Sequence, residues 1–288
     1  MDQAETLRLL KAGKQSRPLA RVITVTSGKG GVGKSNTAIN LAIHFKKMGK
    51  RVIILDADFG LANIEIMFGA VPKHNLCDLI YQGKNIKEVI TWGPGDVGFI
   101  SGGSGIAGMS NLGPDYLNYI IQNLSELDAI ADIIIVDTAG IADSVLEFLV
   151  ASGEILLITT PEPTSITDSY SLLKALSRHP RFRTENTQVK MIANRVERGE
   201  DGQILYKKLN SVVQRFLKLP MSYLGSVPQD TMLTRAVMQQ NPVSLQSPTA
   251  KSALAYEQIA ARLLDRDENS VNKNRGMAAF FSHIVSRR

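Results

Sequence analysis

The stretch Val22–Thr37, VITVTSGKGGVGKSNT, leaves this chain few ways to fold. Val22–Val25 is rich in β-branched side chains and reads as a buried strand. It runs into Gly28-Lys29-Gly30-Gly31-Val32-Gly33-Lys34-Ser35, the phosphate-loop spacing of two glycines around four residues, then lysine and a hydroxyl. Glycines let a backbone wrap tightly and turn its N–H groups inward on a phosphate. Lys34 adds a charge for the β- and γ-phosphates, and Ser35 a hydroxyl for Mg²⁺. A helix expected over roughly Ser35–Met48 presents its positive end, including Asn36, to the same anion.

Lys29 directly follows the first glycine, so the loop reads Lys29-Gly30-Gly31-Val32-Gly33-Lys34-Ser35. This resembles the deviant phosphate loop of the MinD/ParA ATPases. The resemblance implies an ATP-dependent homodimer in which Lys29 reaches the partner subunit's ATP, with Lys29 and Lys34 both catalytic.

Arg51–Asp58 reads as a second buried strand, ending in Asp56-Ala57-Asp58. Apolar strands between helices indicate a parallel sheet with ligands at the strands' carboxyl ends. The continuation to Asn63 resembles the family's first switch. That match implies Asp58 on the attacking water, Asp56 supporting Mg²⁺, and Asn63 at the switch or subunit contact. The alternative is that both aspartates cap the next helix. Asp132–Gly140, DIIIVDTAG, delivers Asp137 from a buried strand to a position beside Ser35, where it can hold Mg²⁺ through water. Thr138 and Gly140 would belong to the second switch; many relatives carry glycine where this chain has Ala139.

Further along, short helices are expected near Cys77–Tyr81 and Ile86–Ile90, a strand at Val97–Ile100 and a helix over Pro114–Leu127. Glu154–Pro163 reads as a strand stopped by Pro161 and Pro163, followed by a helix over Thr164–Ser177. The glycine-rich Ser101–Gly105 has no lysine and no strand-to-helix fingerprint, so it is not read as a nucleotide loop. The strand Val189–Ala193 ends at Asn194, whose family counterpart hydrogen-bonds the adenine; an amide offers both donor and acceptor. A turn asparagine is the alternative. After the strand Ser222–Val227, Pro228 is expected along the base edge. Two helices flanking Pro242 and Pro248 follow.

The chain's two ends carry their own signals. Asp2–Lys11 reads as a short amphipathic helix ahead of a polar linker, and a helix packed on the domain is the plain reading. Its sequence Asp2-Gln3-Ala4-Glu5-Thr6-Leu7-Arg8 looks like the DQAxxLR motif of the FlhG (YlxH, FleN) branch of the MinD family. That likeness implies a signal-recognition-particle-type GTPase partner, FlhF, engaged by Asp2, Gln3, Leu7 and Arg8, with Gln3 in the partner's active site. At the other end, Met277, Phe280, Phe281, Ile284 and Val285 share one helical face, with Arg275, Arg287 and Arg288 around them. Such a helix suits an anionic membrane interface. Five such side chains at ~1.5–3 kcal/mol each bind reversibly. Docking on its own domain is the competing reading.

Composition sets limits. The 288 residues, 44% hydrophobic and 21% charged, suit one large soluble α/β domain with short tails. A net charge of +6 permits an anionic partner without naming one. The single cysteine, Cys77, excludes an internal disulfide and the cysteine-paired iron–sulfur relatives. No run approaches the roughly 18 apolar residues of a membrane span, and the N-terminus lacks a secretory core. The expectation is a cytoplasmic protein reversibly held on the inner face of the membrane.

The expected fold is therefore a doubly wound, mainly parallel α/β sheet of about seven strands. The N-terminal helix and linker occupy 1–18, the MinD-like phosphate-loop domain 19–268, and linker plus tail helix 269–288. The resemblance implies an ATPase using ATP and Mg²⁺ that governs flagellar placement and number, with basal-body proteins as further partners. Division-site selection of the MinD type, DNA partition of the ParA type and a non-catalytic nucleotide-stabilised adaptor are the alternatives. DNA binding would want a denser basic patch, and no nucleic acid partner is expected.

Overall fold

The computed structural model describes residues 19–58, 63–103, 114–139, 143–265 and 276–285. The strands are β1 (Arg21–Thr26), β2 (Val52–Ala57), β3 (Thr91–Gly93), β4 (Val97–Ile100), β5 (Ile133–Thr138), β6 (Glu154–Thr159), β7 (Gln188–Val196) and β8 (Met221–Pro228). They form one sheet in the order β3-β4-β2-β5-β1-β6-β7-β8. All neighbouring pairs are parallel except β3, which lies antiparallel on β4 at the edge. That three-residue edge strand brings the described sheet to eight strands, against about seven expected; three residues are too few to show a period in sequence.

The helices are α1 (Lys34–Lys47), α2 (Asn63–Phe68), α3 (Leu76–Tyr81), α4 (Ile86–Val89), α5 (Pro114–Ser125), α6 (Leu127–Ile130) and α7 (Asp143–Ala151). They continue with α8 (Pro163–Arg178), α9 (Gly199–Leu217), α10 (Thr231–Met238), α11 (Val243–Gln246), α12 (Lys251–Asp265) and α13 (Gly276–Val285).

Helices cover both faces of the sheet, so strand residues of either parity are apolar. Ile23, Ile54, Ile135 and Leu156 pack under α1 and α12 against Leu41, Phe45, Tyr256 and Ile259. Their neighbours Ile53, Leu55, Ile134 and Val136 face the other way, onto Leu79, Leu124, Leu127 and Phe148. A third cluster joins Ile155, Leu157 and Met191 to Leu173, Leu176, Leu205 and Leu209 of α8 and α9.

Connections leave the centre of this sheet in opposite directions. β1 is flanked by β5 and β6; the chain runs outward to β2 after β1, and to β7 and β8 after β6. The carboxyl end of β1 is thus a crevice where the winding reverses, the usual ligand position in such a sheet. At the other end of the same strands, Arg21 makes a two-pronged pair with Glu154, Nε to Oε2 at 2.8 Å and Nη2 to Oε1 at 2.9 Å. Lys190 adds a third contact at 2.6 Å, and all three side chains are buried. Charge pairing satisfies this corner and locks β1, β6 and β7 together.

The tail differs from a free membrane-facing helix. The face expected to meet lipid is packed on the domain: Met277, Phe280 and Phe281 are buried, and Ile284 is partly buried against the same cluster. Phe280 lies 6.1 Å from the Phe148 ring of α7. Both helix ends are also held. The backbone N–H of Met277 donates to Asp128 at 2.9 Å, and Arg181 donates to the His283 carbonyl while pairing with Glu147. Anion at the start and cation at the end match the helix dipole. The side chain of Val285 lies outside the described residues.

Candidate functional site

Between β1 and α1 the chain turns through residues 27–33, and two glycines carry the turn. Gly31 and Gly33 adopt φ of 73° and 98°, in the left-handed region. Gly28 has a different reason to be glycine: a Cβ there would lie 2.1 Å from the backbone carbonyl carbon of Asp168, so the loop is wedged against α8. Gly33 caps α1 with no side-chain cap bond, and the helix's first turn holds no acidic residue. The N–H groups at its start therefore face outward for an anion. Asn36 sits in this first turn, its carbonyl accepting from Asn40 Nδ2 at 2.8 Å.

The charged groups stand close around this loop. Lys34 is 8% exposed. Burial pulls its pKa down, while Asp137 and Asp58 pull it up. Asp137 is fully buried, and neither carboxylate oxygen has a hydrogen-bond partner. Burial pushes its carboxyl up to about 7, against the pull of nearby Ser35 and Lys34 and with the push of Asp58. Ser35 is near enough to act on that carboxylate but short of a formed hydrogen bond. Thr138 Oγ1 donates to the Val25 carbonyl at 2.9 Å, tying the strand end that carries Asp137 to β1.

Asp56 has a backbone partner on each oxygen. Its Oδ1 accepts the Asp58 N–H at 3.0 Å, and its Oδ2 the Ile64 N–H at 3.3 Å. It thereby ties Asp58 and the first turn of α2, as the capping alternative has it. Burial, and then the charge of Asp137, push its carboxyl up to about 8. Asp58 Oδ2 accepts from Asn63 Nδ2 at 3.1 Å, so these two predicted switch residues meet.

An unpartnered, buried carboxylate beside a serine hydroxyl and a lysine is a poor structural element and a good cation site. Among the described residues, no three His, Cys, Asp or Glu side chains could hold a metal alone. That donor set fits Mg²⁺, which keeps waters and takes phosphate oxygens alongside few protein ligands.

On the base side the structure departs from the simplest expectation. Asn194 is buried, its Nδ2 donating to the Val32 carbonyl at 2.7 Å and its Oδ1 accepting the Arg195 N–H at 3.0 Å. The amide braces the phosphate loop, leaving one N–H and one lone pair for a base. Arg195, at φ 57°, donates to the Gly31 carbonyl at 2.8 Å. Pro228 pairs in register with Val196, and Gln229 N–H donates to the Val196 carbonyl. Beside these residues opens a cleft of about 590 Å³ lined by Thr160, Glu162, Arg195, Lys208 and Gln229.

Lys29 stands apart from Lys34. Its Nζ reaches Glu162 Oε2 at 2.8 Å and Thr164 Oγ1 at 3.0 Å on the turn into α8. The sequence reading missed Glu162, Thr164 and Arg195. Arg195 had one signal, its place directly after Asn194; the other two lie far from Lys29 in sequence. Asp2, Gln3, Leu7, Arg8 and Gly140 lie outside the described residues.

Residues 23–243 match the family model of the CobQ/CobB/MinD/ParA nucleotide binding domain. The chain belongs to the MinD/ParA family of phosphate-loop ATPases. It is 39% identical to the antiactivator FleN of Pseudomonas aeruginosa over 244 residues, 84% of this chain and 86% of that protein. It is 29% identical to the flagellum site-determining protein YlxH of Helicobacter pylori over 290 residues, 99% of this chain and 96% of that one. The fold superposes on MinD of Pyrococcus horikoshii, complexed with Mg-ADP, at TM-score 0.66 and 23% identity, covering 85% of this chain and 96% of that one. A ParA family ATPase of Chlorobium tepidum gives 0.68 at 19% identity, covering 85% and 99%. At these identities the solved structures speak for the fold alone. As a MinD/ParA member the chain is an ATP hydrolase.

Proposed function

We propose that this ATPase is a membrane-associating switch that regulates flagellar number or placement, through a homodimer formed on ATP. The observation that carries this reading is the 39% identity to FleN across most of both chains. The likeness to YlxH over nearly the whole chain supports it.

Residue roles follow from that reading. The N–H groups of the loop and of the start of α1 bind the phosphates, and Lys34 neutralises them. Ser35 and Asp137 would hold Mg²⁺, which would supply charge stabilisation at the phosphates. Asp58, held by Asn63, orients the attacking water. Asn194 fixes the loop and turns its remaining polar sites to the base, with Pro228 along the base edge. Lys29 crosses to the partner subunit's nucleotide.

Output would run through α7. This helix begins five residues after Thr138, and its Phe148 and Glu147 hold the tail by Phe280 and by Arg181. Movement of the second switch on ATP would loosen that groove and let α13 move to an anionic membrane. The N-terminal Asp2, Gln3, Leu7 and Arg8 would meanwhile act on an FlhF-like GTPase, with basal-body proteins as further partners. Among the described residues no helix is long and apolar enough to cross a membrane, and a surface helix needs none.

The test compares the intact chain with one ending at Asn274 for binding to anionic vesicles, with ATP and with ADP. ATP turnover of Asp58→Ala is recorded alongside. The reading expects ATP to recruit only the intact chain, and Asp58→Ala to stay bound without turnover. Vesicle binding that is absent in both nucleotide states would remove the membrane from the mechanism.

A further inference from the structure

We propose that Glu162 and Thr164 are positioning residues for Lys29, holding its ammonium at the rim of the site in the place from which it enters a second subunit. The inference rests on the dimer reading and adds to it the groups that aim the lysine.

The two lysines of the loop are treated differently by the fold. Lys34 is nearly buried beside Asp137, whereas the Lys29 side chain is 38% exposed. An exposed lysine ordinarily wanders, since four rotatable bonds and strong hydration favour many conformers. Here both its ends are fixed. Ser27 Oγ donates to the Lys29 carbonyl at 2.6 Å, and Gly28 is jammed against the α8 backbone. At the tip, Nζ has two acceptors, Glu162 Oε2 at 2.8 Å and Thr164 Oγ1 at 3.0 Å.

The turn that supplies those acceptors is itself rigid. Thr160 N–H donates to Ser165 Oγ at 3.0 Å, closing the turn, and Pro161 and Pro163 fix the backbone on either side of Glu162. Glu162 occupies the cap position of α8, where a carboxylate would ordinarily bond the first free N–H groups. It makes no such bond. Its carboxylate goes to Lys29 instead. An exposed ion pair contributes little to stability, so the arrangement is better read through what an oriented lysine does in a reaction.

The experiment measures ATP turnover over a range of protein concentrations for the native chain, Lys29→Met, Glu162→Gln, Glu162→Asp, Thr164→Val and the double variant Lys29→Met/Glu162→Gln. ADP affinity of each is measured as a monomer property. Glu162→Gln should lower kcat about fivefold, the factor that ~1 kcal/mol of lost orientation represents. KM for ATP and ADP affinity should stay native, Glu162→Asp should recover most of the loss, and Thr164→Val should lose less than Glu162→Gln. The double variant should be no worse than Lys29→Met.

Native or raised turnover in Glu162→Gln, with Lys29→Met impaired, overturns the positioning role and leaves the dimer reading standing. So does a loss in the double variant that exceeds that of Lys29→Met. Native turnover and native dimerisation in Lys29→Met overturn both.

Discussion

Asp56 and Asp137 are register partners in the parallel pairing of β2 with β5, so two buried carboxylates sit side by side at the sheet's carboxyl edge. Asp56 spends its oxygens on backbone N–H groups, while Asp137 has none. Their pKa values are pushed up to about 8 and about 7. A carboxyl whose folded pKa is raised favours folding below its unfolded value, near 3.9, and loses that favour as pH rises towards the folded pKa. At neutral pH the pair therefore costs the empty protein stability that a bound cation returns.

Asp137→Asn should separate those two effects. The amide removes a buried unpartnered charge, so the nucleotide-free protein should melt no lower, and about 2–4 °C higher if ~1 kcal/mol is relieved. Turnover should fall by at least about a hundredfold, as expected when a phosphoryl-transfer metal ligand is lost. Thermal melts with and without Mg-ADP, beside an ATPase assay, check both. A lower melting point in the empty state would mean that Asp137 holds the fold and not a cation.

Gly28 and Gly30 should respond in opposite ways to the same substitution. A Cβ on Gly28 meets the Asp168 backbone at 2.1 Å, whereas one on Gly30 meets nothing within 4 Å. Gly28→Ala must push the loop off α8, costing about 1–3 kcal/mol and carrying Lys29 and the loop N–H groups with it. Gly30→Ala should fold as the native chain does. Urea unfolding and ADP titration of both variants would reveal a wedge that is not there, if their stabilities match.

The parts of this molecule legible in sequence are those where one residue type has one use. Gly31, Gly33 and Lys34 are demanded by the loop, and apolar runs such as Ile133–Val136 can only be buried strands. The helix α9 went unread because Gly199, Gly202 and Asn210 dilute its pattern with poor helix formers. The Lys29–Glu162 contact joins residues 133 positions apart, and only the topology brings them together. The tail was ambiguous for a physical reason: Met277, Phe280 and Phe281 satisfy a lipid interface and the groove beside Phe148 equally well.

The buried triad at the base of the sheet should prove sensitive to removal of its anion. Glu154 is nearly inaccessible, and although burial pushes its pKa up, Arg21 and then Lys190 hold it below the ordinary range. Glu154→Gln leaves two cations short of a counter-charge in the interior, at a cost of about 3–5 kcal/mol. Because the folded pKa is depressed, this stabilisation is present above the unfolded value and is lost as pH falls through the folded one. Urea midpoints at pH 7 should therefore differ more between native and variant than midpoints at acid pH.

His44 supplies a second pH dependence. It is buried in α1 with Nε2 unpartnered. Burial, and then the charge of Lys47, lower its pKa to about 4, with Glu257 and the Ala253 backbone opposing. Between pH 6.5 and 4 the unfolded chain binds the proton and the folded one does not, so stability falls as pH drops across that window. Unfolding measured at pH 7 and pH 5 should show the loss, and His44→Leu should reduce it. An unchanged slope in the variant would assign the effect to other groups.

The docked tail should loosen at its first turn when Asp128 is removed. The Asp128 carboxylate caps the start of α13, accepting Met277 N–H at 2.9 and 3.2 Å. The chain enters the helix through Gly276 at φ 65°, where a Cβ would strike Asp128 at 2.5 Å. Losing a cap costs about 1 kcal/mol, which is about fivefold in the opening equilibrium of this helix. Amide exchange in Asp128→Ala should quicken by that factor across 277–281, while Ile134 in the central strand β5 stays as protected as before. Vesicle binding without ATP should rise in parallel, because a looser groove competes less well with lipid for the same Phe280 and Phe281. Faster exchange without added vesicle binding would separate the docking groove from the membrane step, and leave α13 as a packing helix.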